Sequence, residues 1–365
     1  VWGSVSSVTA QRDGLQRLDV VPDVGERAAA ISYPALSGPC VAGDRVLLNT
    51  TAVDLSLGTG GAHVVVARAS AHEGAGASTH SHAGAHGIAF DDPSGGHVMK
   101  LRYTPLQLDV MAVEAPESPS HSLLEDATDL AGMPVVCCGL HSQVPLVAAA
   151  IKERRPAARI AYVMTDQAAL PFALSDVIAA CTEAGLLDVT VSCGQAFGAA
   201  IEAVNLPSGL IAARLVGVAD AAIVAMGPGG VGTSTELGHS GVAQGEAVNA
   251  CAAVGARAVA SLRISFADTR ERHRGVSHHT VVALTRVALA EALVAVPVLG
   301  AAEQARVDAD LEAAGVWDRH ERRDVECGLP DVRGVDLRSM GRTPDGDPAF
   351  FLAATAAGAV AASLL

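Results

Sequence analysis

The sequence predicts an α/β protein, a mostly parallel Rossmann-like sheet with helices on both faces, preceded by a small N-terminal β-barrel or sandwich. Up to about Tyr103 the apolar residues come in short runs separated by glycine, proline and other turn formers, the pattern of closely spaced strands. Beyond a polar linker bracketed by Pro116 and Pro119, strand-length apolar runs alternate with helix-length segments, which builds a parallel sheet. At 365 residues, half of them hydrophobic, the chain can bury two cores. The expected units are 1–112 for the β unit, 121–300 for an α/β ligand-binding unit, and 301–365 for a C-terminal arm and helix packed on the latter.

In the first unit the runs are Val5 to Val8, Leu18 to Val21, Ala28 to Tyr33, Val46 to Asn49, Val64 to Ala67 and Val98 to Leu101. Gly43-Asp44 reads as a turn delivering a strand, because glycine takes positive φ and aspartate bonds its own backbone. Residues 70–96 are rich in Ala, Gly, Ser and His and are expected to form a flexible insertion. Its His72, His80, His82 and His86 could catch a divalent ion, but such a loop must supply the ordering entropy itself, so adventitious binding is expected there.

In the second unit, Met133 to Gly139 reads as a buried parallel strand, and Ser142 opens an apolar helix that ends before Pro156. Arg159 to Met164 is the next strand. Ser175 should cap a helix from Asp176 to Ala184 that Gly185 terminates, and Leu187 to Val191 returns as strand. Then follow a helix from Ser208 to Val216, a strand from Ala221 to Met226, a helix from Val242 to Val254, a strand from Ala256 to Ile264, and a long helix from about Thr280 to Leu293. The uncharged, alanine-rich stretch Ala349 to Leu365 falls short of the roughly 20 apolar residues of a membrane span. It is expected to be a docked helix, and the protein a homo-oligomer.

The formal net charge of -14 repels phosphate backbones and anionic membranes, so neither nucleic acid nor membrane is an expected partner. Seven cysteines without C-x-x-C spacing read as small buried hydrophobes in a reducing compartment. With no charged leader followed by an apolar stretch at the start of the sequence, a cytoplasmic location is expected.

Ligands of open parallel sheets bind outside the carboxyl ends of the strands, and here those segments are polar. They are Leu140-His141-Ser142-Gln143, Met164-Thr165-Asp166-Gln167, Ser192 to Gly198, Gly227 to Thr235 and Arg263 to Asp268. Gly227, Gly229 and Gly232 satisfy G-x-G-x-x-G after a strand, so that bare amides, including that of Gly230, could cradle phosphate together with Thr233. The helix does not open at the third glycine, and Arg263 stands where a ribose-binding acid would be. A standard NAD site is therefore not expected, while an NADP-dependent oxidoreductase stays open as an alternative. The next loop carries Arg270, Arg272 and Arg274 with His273, His278 and His279, a positive feature suited to phosphate or carboxylate, and the following helix N-terminus favours the same charge. Adjacent on a helix, His278 and His279 should diverge by about 100°, so no metal site is expected from them.

Asp166 is the best-placed carboxylate for general-base work and His278 the second candidate proton carrier, with Gln195 as a polar contact; Glu202, Glu236 and Glu246 are further carboxylates. Each could instead cap a helix or pair with arginine. Cys193, with no base identified, reads as a buried thiol. His320 and Glu321 cannot be placed, and Ser339-Met340-Gly341-Arg342 could return a basic loop to the same edge.

The segments Tyr33-Pro34-Ala35-Leu36, Gly43 to Ala52, Lys100 to Gln107, Tyr162 to Asp166, Gly194-Gln195-Ala196-Phe197-Gly198, Arg270 to His279, Ser339 to Arg342 and Asp347 to Phe351 together resemble a bacterial family catalogued as domain of unknown function 3866. The resemblance runs over nearly the whole chain. It implies no activity, cofactor or catalytic residue. Residues 70–96 stand as an insertion beyond the family pattern, and Ser234 occupies a place where another glycine is expected. The functional expectation is an enzyme, a transferase or hydrolase, that binds a small anionic, phosphorylated or nucleotide-like metabolite. The alternative is a non-enzymatic sensing or regulatory module, and the cofactor is left unassigned.

Overall fold

The computed structural model describes residues 1–54, 61–69, 98–104 and 106–365, which divide into two compact units, Val1–Met111 and Ala112–Leu365. The histidines at 72, 80, 82 and 86 lie outside the described residues.

In the first unit the short apolar runs form β1 (Trp2–Arg12), β2 (Leu15–Pro22), β3 (Ala28–Ser32), β4 (Arg45–Asn49) and β5 (His63–Ala69). They close as a barrel in the order β1-β2-β3-β5-β4, not as a sandwich. Alternation turns Val5, Leu18, Val20, Ala30, Val46, Leu48 and Val65 inward around Cys40. Register shifts between Val5 and Ser7 and between Val8 and Ala10 bend β1 and raise its twist, which helps so small a sheet close. A separate antiparallel pair, β6 (Val98–Lys100) and β7 (Leu108–Val110), completes the unit.

The second unit is built on β8 (Pro134–Cys137), β9 (Ile160–Thr165), β10 (Val189–Ser192), β11 (Ile201–Glu202), β12 (Ala221–Met226) and β13 (Arg257–Ser261). After a small antiparallel pair, β14 (Ile264–Ser265) and β15 (Gly275–Val276), come β16 (Leu293–Pro297) and β17 (Glu321–Val325). All eight strands of the main sheet are parallel, in the order β11-β10-β9-β12-β8-β13-β16-β17. The pleat sends alternate residues to opposite faces. Val135 and Cys137 enter one core with the helices Leu206–Leu215 and Ala243–Ala253, while Val136 and Cys138 enter the other with the helices Val144–Arg154, Asp176–Glu183 and Pro348–Ser363. The C-terminal stretch is thus a core helix of this unit. Gly358 lets it lie close on Val144–Arg154, since a Cβ there would meet the Val147 carbonyl oxygen at 2.4 Å. No helix of the described residues is long and apolar enough to cross a membrane.

The long helix expected from Thr280 to Leu293 is not formed. A helix of five residues, His278–Val282, passes into a widened π-type turn over Ala283–Val287, and Leu293 already begins β16. The cause is a side chain from another helix. Asn249 Oδ1 accepts the backbone N–H groups of Leu289 at 2.7 Å and Ala290 at 3.1 Å, while its Nδ2 donates to the Val287 carbonyl at 2.9 Å. Asn249 thereby takes the bonds a continuing helix would need. The strand expected from Ala256 to Ile264 likewise divides, ending at Ser261 and resuming as β14, because Gln244 Nε2 donates to the Ser261 carbonyl at 2.7 Å.

Candidate functional site

The strand order brings β12, β8 and β13 side by side at the middle of the sheet, so the polar segments that follow them meet at one edge. They line a cavity of about 340 Å3 with the glycine loop, His141, Ser142, Arg263, Arg270, Arg272, His273, His279 and the returning segment Arg338-Ser339-Met340. The loops after β9 and β10 line a second cavity of about 300 Å3 that holds Asp166, Cys193 and Glu246. The expectation of one site gathering all strand ends is corrected: the sheet separates them into two.

Of the residues proposed from sequence, Gly227, Gly229, Gly230, Gly232, Arg263, Arg270 and Arg272 line the first cavity. Gly229 sits at φ 90°, a conformation that favours glycine. The backbone N–H groups of Gly229 and Gly230 make no hydrogen bond among the described residues, so they can donate to an anion. Thr233 turns away: its Oγ1 donates to the Gly238 carbonyl at 2.8 Å and lies 3.0 Å from Thr235 Oγ1, closing an exposed turn. Ser234 does adopt a positive φ, 66°, where glycine was expected, and its Oγ accepts from Arg272 at 2.9 Å. Arg274 is exposed and outside the cavity lining.

The arginines are anchored by two buried acids. Asp268 accepts from Arg270 Nε and Nη2, each at 2.9 Å, and lies 3.6 Å from Arg263 and 3.5 Å from Arg342. Asp347 accepts from Arg342 Nε at 2.9 Å and Ser265 Oγ at 2.6 Å. Bonds from Arg270 hold the Asp268 carboxyl well below the usual carboxylate range. Burial lowers Arg263 to about 10, reinforced by neighbouring Arg270. Three guanidinium groups face two carboxylates, which leaves a surplus positive charge. No carboxylate among the described residues neutralises Arg272, whose Nε approaches His273 Nε2 at 3.4 Å. Because arginine can only donate, His273 carries its proton on Nδ1 and donates to Ser277 Oγ at 2.7 Å.

The histidines are held neutral. Burial, with Arg263 and Arg270 beside it, lowers His273 to about 3. Burial and His239 lower His279 to about 2, and burial lowers His239 and His278 as well. His141, with Nε2 2.7 Å from Ser175 Oγ and Nδ1 3.3 Å from Tyr162 Oη, is pushed down to about 4 by burial. The ordinary value of such an imidazole lies near 6.5. The ring stays neutral when folded and takes up a proton on unfolding below that pH, so stability falls as pH drops from about 6.5 towards 4. Thermal unfolding across that range should show this acid loss, and His141→Gln should flatten it.

The sequence reading of the paired histidines is also corrected. His278 and His279 open the short helix, and their rings do not diverge: the centroids lie 4.4 Å apart. With His239 they bring one ring nitrogen each within 4.8 Å of the others. His278 is not in the cavity lining; His279 is. A helix of five residues also carries little macrodipole, so the anion attraction expected from its N-terminus is small.

Asp166 lies in the second cavity, where its Oδ2 accepts the backbone N–H of Gln195 at 2.8 Å; neither it nor Gln195 reaches the arginines' cavity. Among the other acids, Glu202 is buried and accepts from Ser192 Oγ at 2.8 Å, and Glu236 pairs with Arg286 on the surface. His320 is a buried link, its Nδ1 accepting from Ala292 N–H at 3.2 Å and its Nε2 lying 2.9 Å from the Leu284 carbonyl oxygen. Sequence reasoning missed His239 and did not single out His141. The second was legible as a polar residue directly after a strand; the first had no local signal.

Residues 29–358 match a family model described as "Protein of unknown function (DUF3866)". No curated protein and no solved structure matches the chain.

Proposed function

The chain belongs to the DUF3866 family of proteins of unknown function, and from the cavity at the ends of β8, β12 and β13 we propose an enzyme, a transferase or hydrolase, acting on a small anionic, phosphorylated or nucleotide-like metabolite. One observation carries the reading. The unbonded amides of Gly229 and Gly230 share a cavity with the buried Arg263 and with Arg272, which no carboxylate among the described residues neutralises. Amides and guanidinium groups fixed around a cavity stabilise phosphate charge with little reorganisation. His141 lines the same cavity as a neutral imidazole, which supports it over Asp166 as the proton carrier. The dinucleotide alternative is disfavoured, because the helix after the glycine loop begins only at Ala243, behind a turn at Ser240–Val242. Seven free cysteines, six of them buried, support a cytoplasmic setting.

Native mass spectrometry of freshly purified full-length chain tests the reading, first for a retained small molecule and then against nucleotides and sugar phosphates. A phosphorylated species bound one to one, and turned over on incubation, is the expected result. Binding without turnover would favour the sensing module. Failure of every phosphorylated compound to bind would sink the proposal.

A further inference from the structure

His239 is brought to the pair at His278 and His279 by the antiparallel bridge between Gly232 and His239. Its ring lies flat on that of His279, centroids 3.8 Å apart and 7° from parallel, while His278 stands edge-on to both at 5.5 Å and 4.4 Å. His239 is 5% exposed, yet neither of its ring nitrogens has a hydrogen-bond partner, and nor has Nε2 of His278. The Glu236 main chain near His239 favours its proton only weakly and makes no bond of normal geometry. A buried polar atom left unsatisfied costs about 1–3 kcal/mol, and three such atoms lie on the neighbouring rings of His239 and His278.

We infer that His239, His278 and His279 form a three-imidazole site for a divalent transition metal of the zinc class, with an open position towards the anion of the cavity. Three imidazoles with a vacant fourth position suit zinc, whose bonds to nitrogen of about 2.0–2.1 Å require the stacked rings of His239 and His279 to turn out of parallel so that their nitrogens, which lie within 4.8 Å of one another, aim at one point. The set contains no carboxylate, which disfavours magnesium and calcium, ions that take oxygen ligands. His273 is excluded from the set because both its nitrogens are used, one by Ser277 and one by Arg272. Gly232 packs beside the rings: a Cβ there would lie in ordinary contact, 3.5 Å from His279 Nε2 and 3.8 Å from His239 Cβ. The site stands on the imidazoles alone, whereas its contact with an anion rests on the reading of the cavity given above. Arg263 and Arg272 oppose a dication nearby, so a bound anion should tighten the metal, and by reciprocity the metal the anion.

The test uses the full chain, stripped by a chelator, dialysed and titrated with cobalt(II), with and without inorganic phosphate. One cobalt per chain is expected, with the intense visible absorption of a low-coordinate site and X-ray absorption that counts three imidazoles. His239→Gln and His278→Gln should each weaken cobalt by at least about a hundredfold while the melting transition is retained. Phosphate should shift the visible bands and tighten cobalt about tenfold. Pale six-coordinate cobalt, or a wild-type X-ray absorption spectrum without imidazole, would overturn the site, and that spectrum needs no variant to fold. An intact three-imidazole cobalt site with no phosphate binding at all would overturn the anion reading and leave the metal site standing. Phosphate that binds without changing the cobalt spectrum or affinity would overturn the contact between them.

Discussion

Replacing Asp268 by asparagine is expected to destabilise the α/β unit by about 3–5 kcal/mol, the range found when one member of a buried ion pair is removed. The side chain is 2% exposed and accepts from Arg270 through both oxygens, with Arg263 and Arg342 in reach. Asparagine preserves the shape but not the charge. Arg263, 5% exposed, would then lie buried beside Arg270 and Arg342 with only Asp347 to offset them. The carboxyl titrates below its ordinary value when folded, so its stabilisation is complete above about pH 3.9 and is lost as pH falls further, through the folded value. Denaturant titration of wild type and variant at pH 7 measures the loss. A difference below about 1 kcal/mol would show that the arginines do not depend on this acid.

Arg272→Met should lower affinity for a phosphorylated ligand by about ten- to a hundredfold, since a charged hydrogen bond contributes about 1.5–3 kcal/mol and each 1.4 kcal/mol is tenfold. Methionine keeps an apolar stem and removes the one guanidinium lining the cavity that, among the described residues, bonds only to neutral groups, Ser234 and His273. Folding should be largely retained, because the lost bond to Ser234 is at the surface and His273, which loses the long bond from Arg272, keeps its bond to Ser277. Calorimetric titration with inorganic pyrophosphate reads the change, and raising the salt should shrink it by screening.

Much of the architecture was legible where local chemistry decides it. Ser175 caps its helix by accepting from Ile178 N–H at 3.1 Å, and the buried strands from Ile160 and Ala221 appear as unbroken apolar runs. The edge strand β17 was not legible. Glu321, Arg322, Arg323 and Asp324 offer no apolar run to mark a strand, because the edge strand pairs with β16 alone among the described residues and leaves these side chains half-buried or exposed. The false helix to Leu293 failed for the opposite reason: Val281 to Leu284 continue an apolar pattern, and the interruption comes from Asn249, distant in sequence. The same holds at the site. The glycine and arginine loops announced themselves by composition after strands, but that Asp166 would fall into a different cavity depends on strand order. His239 joins His278 and His279 only through the fold of the loop that carries it.

Calorimetric titration of the full chain with pyrophosphate, in wild type and Arg272→Met, bears most directly on the claim that the cavity at the ends of β12, β8 and β13 holds a phosphorylated anion. The account predicts saturable one-to-one binding that weakens about ten- to a hundredfold in the variant. Absent binding, or equal binding by both proteins, would contradict it.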